Sequence, residues 1–198
     1  ARERGDAQAS LRLLERAAEL APGDADPLSE IALTHLTVRD LRLAERALRQ
    51  ALALAPDHRR SLANLAALLQ YRGHLLEAIG LHRRFLAVDP ADIEVRCNFA
   101  KALGDAGQFD AAREECEAAL RGSPGDARLL ATLGVVLWDA GRAETALETL
   151  GRAAIRDPGD DTALVNLAYG QQQLGRLSEA IVPLEQAAPA TPHTARVA

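Results

Sequence analysis

The feature that most constrains the fold of this chain is a sequence period of 34 residues. Prolines recur at this interval at Pro22, Pro56, Pro90, Pro124, Pro158 and Pro192. Glycines keep the interval at Gly73, Gly107, Gly141 and Gly175, with Gly5 in phase, and alanines keep it at Ala44, Ala78, Ala112, Ala146 and Ala180. Three independent series in one register indicate a structure built from stacked copies of a small unit.

We number the positions of the period as slots and place the recurring proline in slot 32. Five complete repeats then occupy residues 25–58, 59–92, 93–126, 127–160 and 161–194. Residues 1–24 are expected to form the second half of a preceding repeat, and residues 195–198 to begin a further helix. We therefore expect the chain to be a piece of a longer array or of a larger protein.

Each repeat is predicted to form two helices joined by a tight turn. In the first helix, apolar residues follow at spacings of three and four, as at Leu62, Leu65 and Leu69. An acidic residue such as Asp126 precedes it and can cap its first amide groups. Glycine in slot 15 ends this helix in the left-handed conformation. Only the first complete repeat, with Arg39 in this slot, lacks the glycine, so we expect a less regular turn there.

Small residues in slots 8 and 20 are expected to let the two helices of a repeat cross closely. The proline in slot 32 then ends the second helix. Pro183 lies inside the second helix of the last repeat, where it removes a backbone hydrogen bond and should kink the helix. Together with Pro189, it makes this repeat the least regular one.

The residues in slots 4, 7, 8, 11, 20, 24, 27 and 32 resemble the pattern of the tetratricopeptide repeat (TPR) family over essentially the whole chain. The resemblance implies an all-α fold, a right-handed α-solenoid in which the first helix of each repeat lines the concave wall of a superhelix. It also implies that slots 2, 5, 6, 9, 12 and 13 face this concave groove.

Ten residues in these slots are candidate peptide-binding residues: Asn64, Tyr71, Asn98, Lys101, Arg128, Trp138, Asn166, Tyr169, Gln172 and Gln173. Three asparagines share slot 6, which is interrupted by Glu30 and Thr132. An asparagine amide can both donate to and accept from a peptide backbone, so it can hold an extended segment whatever its sequence. This series resembles the asparagine ladder of the TPR superhelix in O-GlcNAc transferases.

The aromatic residues support the same surface. Aromatic residues make up only 3% of the chain, yet its single tryptophan and both tyrosines fall in slots expected to face the groove. Tryptophan and tyrosine offer apolar area with one hydrogen-bonding group, which is typical of binding interfaces. The alternative is that these three residues only pack between neighbouring helices.

Several functional classes are disfavoured. A net charge of -5 argues against nucleic acid as a partner, and no apolar run approaches the roughly 18 residues of a membrane span, so we expect no membrane insertion. The chain carries no phosphate-loop, dinucleotide or metalloprotease motif, and we expect no cofactor, metal or catalytic residue. Cys97 is interpreted as a small buried cysteine and His82 as a packed histidine.

Two hypotheses for the function follow. The first is a non-catalytic interaction module, not an enzyme, that binds an extended peptide segment of a partner protein in the concave groove. The second is a substrate-recruiting arm of a larger enzyme, such as an O-GlcNAc-transferase-like glycosyltransferase, whose catalytic domain lies outside residues 1–198. Self-association through exposed terminal repeats is a third, structural alternative. The near absence of lysine suggests a GC-rich bacterial genome, and we favour a cytoplasmic over a periplasmic location.

Overall fold

The computed structural model describes residues 2–159 and 161–187, which form eleven α-helices and no strand. The helices are α1 (Arg2–Leu20), α2 (Asp26–Thr37), α3 (Leu41–Leu54), α4 (Arg59–Tyr71), α5 (Leu75–Val88), α6 (Ile93–Asp105), α7 (Phe109–Gly122), α8 (Ala127–Asp139), α9 (Ala143–Arg156), α10 (Asp161–Gln173) and α11 (Leu177–Ala187). The expected all-α fold of helical hairpins is confirmed. The helix start expected at 195–198, Pro189, and Asp160, the acidic residue before the last repeat, lie outside the described residues.

The chain divides into two compact units, residues 1–102 and residues 103–198, with the division inside α6. In unit 1, each helix from α1 to α5 packs against the next. In unit 2, each helix from α7 to α11 does the same, and α10 also contacts α8. The repeat bounds given above stay a prediction from the period. Nowhere in the described ranges is a helix both long and apolar enough to cross a membrane.

Small residues bring the two helices of a pair close together, as the sequence predicts. In unit 1, Ala32 of α2 and Ala44 of α3 lie in one hydrophobic cluster and are completely inaccessible to solvent. In unit 2, a Cβ atom on Gly134 would lie 3.4 Å from the Ala146 carbonyl oxygen and 2.6 Å from Leu150 Cγ. The leucines that surround these contacts then bury most of their apolar surface, which is the main stabilising contribution to such a pair.

The turns within the pairs share one conformation. Gly73, Gly107, Gly141 and Gly175 have φ values between 73° and 79°. Each turn is closed by a backbone hydrogen bond to a carbonyl five residues earlier, such as His74 N–H to the Leu69 carbonyl at 2.8 Å. This is the bond pattern of a Schellman motif, which satisfies carbonyl groups at the helix end.

The prediction of a less regular turn at Arg39 is wrong. Arg39 has a φ of 60°, and the Asp40 N–H donates to the His35 carbonyl at 2.8 Å, as in the glycine turns. The Asp40 side chain also accepts a hydrogen bond from the Leu43 N–H and caps α3. These contacts hold the turn in place although the left-handed conformation is unfavourable for a residue with a Cβ atom, by about 1–2 kcal/mol.

Side-chain caps are present at only some helix starts. Asp126 accepts hydrogen bonds from the Arg128 and Leu129 N–H groups, and Asp92 accepts one from the Val95 N–H. His58 makes no such cap and instead contacts Ser61. At the ends of the array, α1 continues through Gly5, and α11 contains Pro183 within its length.

Replacing Arg39 with glycine should stabilise the protein. The Arg39→Gly variant relieves the left-handed strain, and we expect its free energy of unfolding to rise by about 1 kcal/mol. Urea denaturation followed by circular dichroism measures this change. The matched control is Arg46→Gly, which removes the same side chain from an exposed position within α3 and should cost about 1 kcal/mol. A destabilised Arg39→Gly variant would contradict the prediction.

Candidate functional site

In unit 1, two of the candidate residues line the same groove. Asn64 of α4 and Asn98 of α6 both border a groove of about 450 Å³, which we call the unit 1 groove. Ala63 and Ala67 lie beside Asn64 on α4, and their short side chains leave the space open. Because both asparagines are only half-buried, their amide groups can still take part in binding.

The two arginines at the unit 1 groove form ion pairs with acidic residues beside it. Arg60 forms an ion pair with Glu30, and its guanidinium lies 3.7 Å from Asp26. Arg59 is paired with Asp89. The Arg60 pair links α4 to α2 of the preceding helical pair, whereas Arg59 and Asp89 lie at the two ends of the same repeat. Besides the exposed Glu94, the unit 1 groove therefore offers amide groups and apolar surface.

Tyr71 and Lys101 are not part of this groove. Tyr71 is the last residue of α4 and 73% exposed, and Lys101 is exposed on α6. Neither residue lines the unit 1 groove. The structure thus brings two of the four unit 1 candidates together and leaves the other two apart from them.

A histidine that was not among the binding candidates also lines the unit 1 groove. His82 of α5 is 1% exposed, and neither ring nitrogen has a hydrogen-bond partner. Its ring centroid lies 6.2 Å from that of Phe99 on α6. Burial lowers the pKa of His82 from 6.5 to about 4, because the charged imidazolium would lose its hydration. The feature of the sequence that could have singled out His82 is that a polar residue occupies slot 24, a packing position.

In unit 2, two aromatic candidates form a pair. The ring centroids of Trp138 on α8 and Tyr169 on α10 lie 6.4 Å apart in an edge-to-face arrangement. Trp138 can lie against α10 because position 170 is glycine, where a Cβ atom would come within 3.0 Å of the indole ring. Tyr169 remains 54% exposed, so the pair keeps an accessible aromatic surface. Asn166, on the same helix, is half-buried.

The remaining unit 2 candidates are exposed. Gln172 and Gln173 end α10, and Arg128 lies at the start of α8 with its guanidinium 3.7 Å from Asp126. Beside Trp138, the pKa of Asp139 is raised, first by partial burial and second by the negative charge of Asp105. This part of unit 2 therefore combines an aromatic pair with amide groups and acidic groups.

The two groups of candidate residues consist mainly of amide and aromatic side chains. Among the described residues, no group of three or more histidine, cysteine, aspartate or glutamate side chains could hold a metal ion. Cys97 and Cys116 are buried and form no disulfide, as expected for packed cysteines. What the two surfaces can do chemically is exchange hydrogen bonds through amide groups and cover apolar side chains.

Comparison with protein families gives a consistent result. Two family models, both described as tetratricopeptide repeat, match residues 97–162 and residues 137–198. The matches overlap, and together they run from residue 97 to residue 198. They cover the helices from α7 to α11, together with most of α6.

Solved structures of similar fold belong to proteins of the same type. YrrB, described as a TPR protein with an unusual peptide-binding site, is 19% identical with a TM-score of 0.63, and the match covers 88% of this chain and 90% of YrrB. A tetratricopeptide repeat protein from Parabacteroides merdae is 15% identical with a TM-score of 0.75, covering 94% of this chain and 73% of that one. At these identities, the likeness shows the fold.

One curated protein resembles the chain in sequence. Cellulose synthase 2 operon protein C from Komagataeibacter xylinus is 35% identical over 120 residues. The match covers 60% of this chain but 9% of that protein. The chain thus corresponds to a small part of a much longer relative.

Gly170 should prove necessary for the position of Trp138. In Gly170→Ala, the added Cβ atom would lie 2.7 Å from Leu147 Cδ2 and 3.0 Å from the indole ring. We expect the variant to lose about 1–3 kcal/mol of stability through overpacking. Because Trp138 is the only tryptophan, its fluorescence emission should shift as the ring is displaced.

The control is Gly151→Ala in α9, where an added Cβ atom meets nothing within 4 Å. This variant should be more stable by about 0.5–1 kcal/mol because alanine favours the helix, with unchanged emission. If Gly170→Ala keeps the stability and the fluorescence emission of the original protein, the packing of Trp138 against Gly170 described above is wrong.

Proposed function

Since the chain belongs to the tetratricopeptide repeat family, whose helical hairpins provide a scaffold for protein–protein interaction, we propose that it binds an extended segment of a partner protein. In this proposal the segment binds to the first helices of the pairs, such as α4 and α6 in unit 1. The observation that carries this proposal is that Asn64 and Asn98, 34 residues apart, line one groove.

The spacing of the two asparagines suits an extended backbone. First helices of consecutive repeats are separated by about 10 Å, a normal helix packing distance. An extended chain advances about 3.3 Å per residue, so one asparagine meets the bound segment about every third residue. Each amide can donate to a carbonyl and accept from an N–H of the segment. Recognition of this kind depends little on the sequence of the segment.

The charges disfavour a strongly acidic partner segment. Arg60 and Arg59, the basic residues of the unit 1 groove, are already paired with acidic side chains of this chain. A strongly acidic segment would have to break these pairs. In unit 2, the Trp138–Tyr169 pair supports a contact with an apolar or aromatic side chain of the partner. YrrB, a protein of the same fold, is described as having a peptide-binding site.

The alternative is that the chain is an arm of a larger enzyme. These residues would then have the same role, because residues 1–198 would bind the substrate protein without catalysing a reaction. This alternative differs in requiring a catalytic domain elsewhere in the parent protein. In cellulose synthase 2 operon protein C, the segment that matches this chain is a small fraction of the whole protein. This is compatible with either hypothesis.

The test is selection of binding peptides from a phage-displayed library of random 12-residue sequences. We expect synthetic peptides from this selection to bind the protein in a fluorescence anisotropy assay. The Asn64→Ala, Asn98→Ala double variant should bind about tenfold to a hundredfold more weakly, because each lost hydrogen bond is worth about 0.5–1.5 kcal/mol. Tyr169→Ala should weaken the binding of those peptides that change the fluorescence of Trp138 when they bind.

The matched control is Gln50→Ala, which removes an exposed amide from α3, a second helix. It should leave the affinity unchanged. Light scattering over a concentration series, with Ile181→Glu as a comparison, separates peptide binding from self-association, since Ile181 is an exposed apolar residue of α11. Equal affinity of the double variant and the original protein would move the binding site away from this surface.

A further inference from the structure

His82 occupies a position that the rest of the chain fills with apolar or weakly polar residues. In three other repeats the residues in the same slot are Leu48, Cys116 and Leu150, which are between 0% and 2% exposed. His82 is buried to the same degree, at 1% exposed, but carries two ring nitrogens without hydrogen-bond partners. A buried polar group without a partner destabilises the fold and calls for an explanation. Leucine at two equivalent positions shows that packing alone does not require a histidine.

The surroundings of His82 connect it to the proposed binding surface. Its ring contacts Phe99, one residue after Asn98 on α6, and lines the unit 1 groove together with Phe85. Movement of His82 must therefore disturb the packing of α5 against the turn of α6 that carries Asn98. Phe99 is also approached by the Arg83 guanidinium, 5.8 Å from the ring centroid.

None of the charged groups around the unit 1 groove is hydrogen-bonded to a ring nitrogen of His82 in this conformation. On α4 they are Arg59 and Arg60, both ion-paired, and α5 contributes Arg83 next to His82. Asp92, before α6, caps the Val95 N–H, and Glu94 is exposed. From α2, the lining residue is the apolar Leu33.

We propose that His82 makes the unit 1 groove acid-sensitive: protonation of its ring forces α5 and α6 apart and opens the groove. A proton taken from solvent converts the ring to an imidazolium with two N–H donors and no acceptor. Such a cation must reach water, and it does so by displacing Phe85 and Phe99. Release of a bound segment on acidification then follows, and that last step rests on the proposed function.

The direction of the effect is fixed by the pKa of His82. The pKa is about 4 in the closed groove and near 6.5 once the ring is hydrated. The open form therefore binds more protons between these values, so the closed form loses stability as pH falls from about 6.5 to 4. With these two pKa values, the ratio of the open to the closed form rises about twentyfold when the pH falls from 7 to 5.

The experiment is amide hydrogen exchange measured by mass spectrometry on the whole chain at pH 7 and pH 5, with intrinsic exchange rates corrected. We expect residues 75–88 and 93–102 to lose protection about twentyfold at pH 5, whereas α8 to α10 in unit 2 keep theirs. His82→Leu, which installs the residue present at positions 48 and 150, should abolish this loss. If that variant is not helical, His82→Cys replaces it, since Cys116 shows that cysteine is accepted in the slot.

The control is His74→Leu, which removes an exposed histidine at the start of the same helix and should keep the acid response. An equal loss of protection in the His82 variant, or full protection of the original protein at pH 5, would overturn the proposal. No ligand is used, so this result is independent of the peptide selection. The groove can respond to acid without binding peptides, and it can bind peptides without responding to acid.

Discussion

The close contact of small residues within each helical pair is the constraint on which the rest of the structure depends. Ala32 with Ala44, and Gly134 with Ala146, let two helices approach until the leucines on either side are buried. A pair of this size has too little apolar surface to fold alone, and its stability comes from stacking on the next pair. In unit 1, stacking of pairs held together in this way brings Asn64 and Asn98 to one groove.

Ion pairs that join consecutive helical pairs make a second, weaker contribution to stability. Arg72 with Glu45 and Arg60 with Glu30 in unit 1, and Arg176 with Glu144 in unit 2, each join residues about one repeat apart. Exposed pairs of this kind contribute about 0–1 kcal/mol each to stability. Of the three, the Arg60 pair with Glu30 lies on first helices, and it leaves the Arg60 guanidinium engaged within the protein.

The 34-residue period was sufficient to predict the fold, because it specifies helix length, turn position and packing face together. It also placed Asn64 and Asn98 in register. It could not predict the conformation of Arg39, since the backbone hydrogen bonds that hold the turn outweigh the preference of a single residue. Nor could it show that Trp138 rests on Gly170, or that His82 has no partner, because both facts depend on side-chain positions. The candidates in unit 2 share a pattern of slots, yet only Trp138 and Tyr169 are seen in direct contact.

The two cysteines have a consequence for studying this protein. Cys97 lies in unit 1 and Cys116 in unit 2, and both thiols are buried at 5% and 1% exposure. A thiol reagent can reach either sulfur only when the surrounding helices separate. Pulsed alkylation, read out by peptide mapping, therefore follows the transient opening of each unit separately, with a native probe in each and no engineered label.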